Sequence, residues 1–202
     1  MKGLIRKDLE IIMLQKNFFL IMIGAGLCMS SLALYTMIMF MCYMFGSLVI
    51  GTISYDELDN GMPYIMCLPI KHSDYVKEKF LMTFMMIFGG YILGIIASVI
   101  IMIIGEELDI LLLLESIILV PLAYVLAVIQ IPVRIKYGQE KSRLINILTM
   151  MILMIGSSML FVSIGGADIQ LWMMIAIGVV LIIVLICVLY KLSIRIVENK
   201  EY

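Results

Sequence analysis

Few side chains in this sequence are of the types that catalyse reactions or bind metals, and their spacing suits neither task. His72 is the only histidine, so we exclude a metal site built on several histidines and a serine–histidine catalytic pair. The four cysteines have no metal-ligand spacing, and they are Cys28, Cys42, Cys67 and Cys187. The HExxH, GxSxG and P-loop motifs are absent as well. The sequence therefore predicts a chain that is not an enzyme and that binds no metal or cofactor of its own.

Residues 53–80 form the longest polar segment of the chain, and they separate two strongly apolar stretches. The acids Asp56, Glu57 and Asp59 lie near its start, and a group of Lys, His, Asp and Glu residues lies near its end. Charged side chains and unpaired backbone groups are costly in the core of a bilayer. We therefore expect this segment to lie at a membrane face. A second polar segment, residues 132–143, lies between two later apolar stretches.

The composition indicates that lipid surrounds most of the chain. Of the 202 residues, 64% are hydrophobic, and the mean hydropathy is +1.16. These values are too high for a soluble domain and opposite to those of a disordered chain. We predict an all-α integral membrane protein with one transmembrane domain over residues 1–202. Its six predicted spans lie at about 17–34, 37–53, 80–104, 111–133, 144–163 and 171–190, with a polar connection over 54–79.

Segment length sets the expected boundaries of the first spans. Residues 17–53 contain no charged side chain, and they are about twice as long as the ~20 residues that one span needs. We place the turn between spans one and two near Tyr35-Thr36, with Ser30-Ser31 as the alternative. Pro132 is predicted to mark the place where the fourth helix leaves the membrane.

The basic residues predict the orientation. With six spans, all 14 Lys and Arg residues fall on one side of the membrane. The other side carries only acids, namely Glu106, Glu107, Asp109, Glu115 and Asp168. The positive-inside rule then places both termini in the cytoplasm. Residues 1–16 carry apolar side chains at helical spacing, which predicts an amphipathic helix in the inner membrane interface. A cytoplasmic extension of the first span is the alternative.

Two sets of residues resemble a pattern found in small bacterial ABC type 2 permeases, which are separate membrane subunits of six spans. The first set is Tyr55-Asp56-Glu57-x-x-x-Gly61, then Leu68-Pro69-Ile70, then Asp74-Tyr75-Val76-x-x-Lys79-Phe80. The second set is Pro132 with Lys136-Tyr137-Gly138-x-Glu140-Lys141-x-Arg143. The opening residues and the basic tail also fit, so the resemblance covers the whole chain. The sequence departs from the family pattern at Met62, where tryptophan is common, at Cys67, where serine is common, and at Lys71-His72, where Ser-Arg is frequent.

The resemblance implies one half of an exporter in a bacterial plasma membrane. Two such permeases, identical or not, associate as a dimer, and cytoplasmic ABC ATPase subunits dock beneath them. The separate ATPase then binds ATP and magnesium, and nucleic acid is not a partner. A short coupling helix between spans two and three is expected to sit in a groove of the ATPase. The residues assigned to docking and coupling are Tyr55, Asp56, Glu57, Gly61, Leu68, Pro69, Lys71, His72 and Ser73, and those of the second cytoplasmic loop are Lys136, Tyr137, Gly138, Glu140, Lys141 and Arg143.

The resemblance also bears on the substrate. It includes exporters of amphipathic peptide toxins, the phenol-soluble modulins, and of antimicrobial peptides. It therefore implies export of an amphipathic or hydrophobic substrate, with a peptide ranked first. The 20 methionines are either ordinary packing residues or the lining of a surface for such a substrate. The alternative function is a self-contained membrane immunity or scaffold protein without an ATPase partner.

Overall fold

We describe the fold from a computed structural model of the chain. The structure describes the backbone of residues 2–30, 33–58, 61–67, 71–105, 113, 116–164 and 169–199, and most of their side chains outside 152–181. Its elements are α1 (Lys2–Leu14), α2 (Lys16–Met29), α3 (Leu34–Glu57), α4 (Gly61–Cys67), α5 (His72–Ile104), a 3-10 turn at Ser116–Ile118, α6 (Leu119–Ile164) and α7 (Ile169–Asn199). Every regular element in the described part of the chain is thus helical, as the composition predicted.

Among the described residues, three stretches of helix are long and apolar enough to cross a membrane, and they are Leu34–Glu57, His72–Ile104 and Ser116–Gly138. A bent pair, Gly3–Leu14 with Phe19–Met29, meets at 72° and adds a fourth crossing if the pair is one span. The predicted fifth and sixth spans fall within α6 and α7, but their side chains lie largely outside the described residues. The structure therefore identifies three to four candidate spans, and the number six stays a prediction.

Several predicted helix boundaries are wrong. Tyr35 and Thr36 lie in the first turn of α3, where the Thr36 hydroxyl donates a hydrogen bond of 2.6 Å to the carbonyl oxygen of Ala33. The connection therefore lies between Met29 and Leu34, at the alternative position. The polar connection is also shorter than 54–79, because α3 continues to Glu57 and α5 begins at His72.

The helix of the predicted fourth span does not end at Pro132. α6 continues through Pro132 and changes direction only at Gly138, which has φ 72° and ψ −171°. A positive φ of this kind is strained for residues with a side chain, so the glycine, and not the proline, marks the bend. We call the parts before and after Gly138 the first and second arms of α6.

α3 is the central helix of the described bundle. In the most apolar 18-residue stretch of α3, 83% of the residues are buried within the chain, whereas in that of α5 only 33% are buried. α5 and the first arm of α6 pack along α3, and a core of side chains from the three helices includes Ile38, Met39, Cys42, Tyr43, Ile87, Tyr91 and Ala127. Much of the surface of α5 is left facing outward, and it includes Phe84, Phe88, Ile92, Ile96 and Ile100.

A second core closes one end of the bundle. It joins side chains of α1, α3, α4, α5, α6 and α7, including Leu4, Ile53, Ile65, Val76, Ile135 and Val197. We call this the basic end, because Lys7, Lys79 and Arg134 lie beside it. The N-terminal helix, both polar connections and the C-terminal helix therefore meet at the same end of the bundle.

Glycines allow α3 and α5 to approach closely. A Cβ atom added at Gly90 would lie 2.7 Å from the carbonyl oxygen of Met41 and 3.0 Å from Cβ of Phe45. At Gly94 it would lie 3.3 Å from Cα of Ile38. The Gly90-x-x-x-Gly94 pair therefore packs against α3 of the same chain, which is the role of small residues between membrane helices.

This contact predicts different effects for two adjacent glycines. Gly90→Ala forces α3 and α5 apart and should destabilise the protein by about 1–3 kcal/mol. Gly89→Ala should be neutral or slightly stabilising, because no atom lies within 4 Å of the added Cβ and alanine favours the helix. Thermal unfolding of the two variants in the same detergent measures the difference. Equal unfolding temperatures for the two variants would contradict the packing.

Candidate functional site

A cluster of charged side chains is buried at the basic end of the bundle. Lys79 on α5 and Asp8 on α1 are both fully buried, and Nζ of Lys79 lies 2.5 Å from Oδ2 of Asp8. Thr52 on α3 completes this centre, since its hydroxyl donates to Asp8 at 3.0 Å and accepts from Lys79 at 2.9 Å. An ion pair without solvent is stable only when its geometry is good and further hydrogen bonds satisfy its atoms. Thr52 supplies one such bond to each charge, whereas Oδ1 of Asp8 has no hydrogen-bond partner in the described part of the chain. The centre links α1 to both α3 and α5.

Asp56 extends the cluster toward the end of α3. Its side chain is buried, and Oδ2 lies 3.1 Å from Nζ of Lys79 and accepts a hydrogen bond of 3.0 Å from the hydroxyl of Tyr75. Lys7, which is partly exposed, binds Oδ1 of Asp56 and lies 3.2 Å from Oδ1 of Asp8. Two lysines thus bridge two aspartates across three helices. We refer to these residues, Lys7, Asp8, Thr52, Asp56, Tyr75 and Lys79, together with Glu78, as the charge cluster.

The electrostatics of the cluster follow from its burial. Burial by itself raises the pKa of Asp8, but the ammonium groups of Lys79 and Lys7 and the hydrogen bonds from Lys79 and Thr52 lower that pKa below its usual value of 3.8. Asp8 therefore stays ionised at neutral pH. Glu78 is also fully buried, lies 3.8 Å from Lys79, and accepts no hydrogen bond within the described part of the chain. Three carboxyl groups thus share two ammonium groups.

The short helix α4 packs directly beside this cluster. Met62 and Ile65 are buried in the core of the basic end, and Gly61 follows the turn so closely that a Cβ atom there would lie 2.8 Å from the carbonyl oxygen of Asp56. Pro63 lies in the first turn of α4, where a missing backbone N–H costs nothing. On its outer face Tyr64 is 73% exposed. α4 therefore has one face fixed to the bundle and one face open to a partner.

The two predicted cytoplasmic loops meet in the structure. Arg134 of α6 donates from Nε to the hydroxyl of Ser54 at 2.8 Å and from Nη1 to the hydroxyl of Ser142 at 2.5 Å. Gly138 lies beside Glu57, since a Cβ atom there would be 3.7 Å from Oε2 of that acid. The end of α3 is thereby linked to both arms of α6 at the bend. Residues that are about 80 positions apart in the sequence form one surface.

The predicted site residues are distributed over buried and exposed positions. Asp56 is inside the charge cluster and Gly61 begins α4, whereas Tyr55 is 48% exposed. Exposed or partly exposed side chains at the same end are Glu57, Lys71, His72, Ser73, Lys136, Tyr137, Lys141 and Arg143. Leu68 and Pro69 lie outside the described residues, as does the side chain of Glu140. Any contribution of Asp56 to docking is therefore indirect, through the position of α3.

The partners of these charges are not predicted by the sequence. The polar segment is expected to dock another protein, and nothing in that expectation places Asp8, Glu78 and Lys79 in buried positions. A signal is present in the sequence, because Lys79 directly precedes an apolar stretch and Asp8 shares one helical face with Leu4, Ile5 and Ile12. A charge at such a position requires a buried partner or a water-filled site.

A second cluster of polar side chains, which lies between the apolar helices, was also not predicted from the sequence. Gln130 donates from Nε2 to the hydroxyl of Thr149 at 2.7 Å and to the hydroxyl of Tyr43. Tyr43 in turn donates to Oδ1 of Asn146 at 2.5 Å. These bonds join α3 to both arms of α6, as expected for polar residues that connect helices in an apolar medium. Since the hydroxyl and amide groups named here have partners, we interpret the group as a helix connector.

The chain matches one known family. Residues 3–198 match the family model described as ABC-2 family transporter protein. No curated protein and no solved structure is a significant match to the chain. Among the described residues, no group of three or more His, Cys, Asp and Glu side chains could hold a metal ion.

The charge cluster predicts a large loss of stability when Lys79 is removed. Lys79→Met leaves the buried acids with only Lys7, and breaking a buried ion pair in this way costs about 3–5 kcal/mol. Glu10→Gln should cost well under about 1 kcal/mol, because the Arg6–Glu10 pair is exposed. Thermal unfolding in detergent compares the two variants.

A double variant tests whether Asp8 acts through Lys79. Asp8→Asn should destabilise the wild-type protein strongly and the Lys79→Met protein much less, since the two residues interact directly. If the two changes are additive, the pair does not stabilise the fold as described.

Proposed function

The chain belongs to the ABC-2 transporter family and is the membrane component of such a transporter, and from this premise we propose that it couples ATP hydrolysis in a separate subunit to export. Membrane subunits of this family are typically non-catalytic permeases. ATP and magnesium would be bound by the partner ATPase, as expected from the sequence. The substrate that we propose is amphipathic or hydrophobic, with a peptide as the first candidate.

The observation that carries the proposal is the way in which α4 packs against the bundle. This helix joins α3 to α5 through short connections, and its inner residues Met62 and Ile65 pack into the core of the basic end. Its outer residue Tyr64 is 73% exposed, and aromatic side chains of this kind commonly anchor protein interfaces. We propose that the outer face of α4 sits in a groove of the ATPase. A displacement of α4 would then be transmitted to α3 and α5 together.

The second loop extends this surface. The contacts of Arg134 with Ser54 and of Gly138 with Glu57 connect the bend of α6 to the end of α3. Tyr137, Lys141 and Arg143 are exposed beside that bend. We propose that these side chains form the edge of the docking surface. A movement of α3 would carry the bend of α6 with it, and therefore both arms of that helix.

Charge supports the proposed orientation. The described basic side chains at the basic end include Lys71, Lys77, Lys136, Lys141, Arg143, Lys191 and Arg195. By the positive-inside rule this end faces the cytoplasm, where an ATPase has access to ATP. The bend of 72° between the helices of the N-terminal pair fits a helix α1 that lies in the membrane interface.

The apolar surface of the bundle bears on substrate and partner. α5 presents a continuous apolar face with Phe84, Phe88, Ile92, Ile96 and Ile100. We propose that a second permease copy or lipid covers this face, and that the export path lies between two permeases. A path lined by apolar residues favours a hydrophobic or amphipathic substrate over a polar one. The methionine-rich helices would adapt to varied apolar side chains of a peptide.

Copurification tests the proposal directly. The full chain, extracted from its own membranes in mild detergent, should bring with it a protein that contains a P-loop and hydrolyses ATP. Export of fluorescently labelled amphipathic peptides by vesicles of the complex should require ATP. Recovery of the chain without an ATPase would instead favour the self-contained immunity or scaffold function.

Substitution of Tyr64 tests the docking face. Tyr64→Ala should weaken ATPase association at least tenfold, because truncation of an anchor residue at an interface typically costs about 2 kcal/mol or more. Its unfolding temperature should be unchanged, because the side chain is exposed. The matched control is Ile117→Ala, an equally simple truncation of a 55% exposed side chain at the other end of the bundle. Equal association of the two variants with the ATPase would contradict the assignment of α4.

A further inference from the structure

A groove runs between the first arm of α6 and the C-terminal part of α7. Its deeper part is a cavity of about 450 Å³ lined by Ile129, Pro132, Val133, Lys136, Tyr137, Leu189, Leu192 and Ile196. Its outer part is a cavity of about 360 Å³ lined by Lys136, Leu192, Arg195, Ile196 and Asn199. The two cavities share Lys136, Leu192 and Ile196, so they form one continuous groove.

The lining changes from apolar to cationic along the groove. The walls beside Ile129 and Leu189 are apolar, and they lie nearest to the membrane-spanning parts of α6 and α7. Toward Gly138 and the end of α7 the groove receives two basic side chains, Lys136 and Arg195, and the amide of Asn199. This order matches the order of layers in a bilayer, where hydrocarbon gives way to charged headgroups.

The two cations are available to a ligand. Within the described residues neither Lys136 nor Arg195 forms an ion pair, and none of the residues that line the outer cavity is acidic. The ammonium group of Lys136 lies 5.2 Å from the centre of its neighbouring Tyr137 ring, a contact that stabilises the cation beside the deeper cavity, which Tyr137 lines. By contrast, Lys7 and Lys79 are used inside the chain, since they bind the acids of the charge cluster.

We propose that this groove binds an anionic phospholipid of the membrane. Lys136 and Arg195 would bind the phosphate group, Asn199 would donate to its ester or glycerol oxygens, and an acyl chain would follow the apolar walls toward Ile129. Basic pockets between membrane helices are suited to anionic headgroups. A free phosphate ion would contact the two cations of the outer cavity but not the apolar walls of the deeper one. A zwitterionic lipid would place its own positive group beside Lys136 and Arg195, which repel it.

The occupant would also have a structural effect. The opposite side of α7 packs into the core of the basic end, with Val197 buried and Tyr190 in edge contact with Phe80 at 5.5 Å between ring centres. A lipid in the groove would fill the remaining space between α7 and α6. It would therefore hold the end of α7 against the arm of α6 that leads to Gly138.

Native mass spectrometry of the purified full chain tests the proposal. Wild-type protein is titrated in detergent with phosphatidylglycerol and, separately, with phosphatidylcholine of the same acyl chains. We expect tighter retention of phosphatidylglycerol. The double variant K136Q/R195Q should bind it about 25-fold more weakly, since each cation near a headgroup contributes about fivefold in affinity. The control variant K77Q/K191Q removes the same charge from exposed lysines outside the groove, and it should bind like wild type.

A second variant tests the apolar part of the groove. Leu192→Trp fills it without a change of charge, so phosphatidylglycerol binding should fall while the unfolding temperature is maintained. Equal retention of the two lipids, or equal losses in K136Q/R195Q and K77Q/K191Q, would overturn the proposal. Displacement of the lipid by millimolar inorganic phosphate would identify an anion site instead. Loss of self-association in Leu192→Trp without any loss of lipid would show that a second copy of the chain occupies the groove.

Discussion

The structure depends on the ion pair of Lys79 and Asp8, which joins two segments that lie 71 positions apart in the sequence. Both side chains are fully buried, so removal of one leaves a charge that water does not solvate and that keeps only more distant charged partners, chiefly Lys7 for Asp8 and Asp56 for Lys79. Beyond this pair, α1 contacts the bundle through the buried side chains of Leu4 and Ile12, whereas Leu9, Met13 and Leu14 are exposed. The pair therefore adds a charged link between α1 and α5 to these apolar contacts. Asp56 and Lys7 extend the same constraint to the end of α3.

This constraint bears on the coupling that we propose for α4, a helix of seven residues that lies between helices several times its length. α4 alone is too short to be stable, and its position comes from Met62 and Ile65 in the core beside the charge cluster. Because the cluster fixes the adjoining ends of α3 and α5, α4 moves as part of that unit and not as a loop. The contact of Arg134 with Ser54 adds α6 to the unit. A membrane component of an ABC-2 transporter needs such a unit if it is to respond to a partner outside the membrane.

Farther from this end the helices are held by different means. Lipid is as apolar as the side chains, so the hydrophobic effect contributes little to helix association within the bilayer. The contacts between α3 and α5 instead depend on Gly90 and Gly94, which permit close backbone approach. The contacts between α3 and the two arms of α6 include the hydrogen bonds among Tyr43, Gln130 and Thr149. The bundle is therefore stabilised by ion pairs at its basic end, and by close helix packing and polar hydrogen bonds along the rest of its length.

The family resemblance predicted a short helix between two spans. Composition and spacing alone were enough to predict an all-α membrane protein and the meeting of the basic segments at one end. These properties follow from the number and order of apolar and charged residues, which the sequence contains in full. Helix ends were predicted less well. Both α3 and α5 extend into the polar segment because Asp56 and Lys79 form an ion pair in the tertiary structure. A charge that is paired in this way can stay inside the helix bundle. Likewise Gly138, and not Pro132, bends α6. Which charges face a partner and which face each other was decided only by the tertiary structure, because that choice depends on distances between residues far apart in the chain.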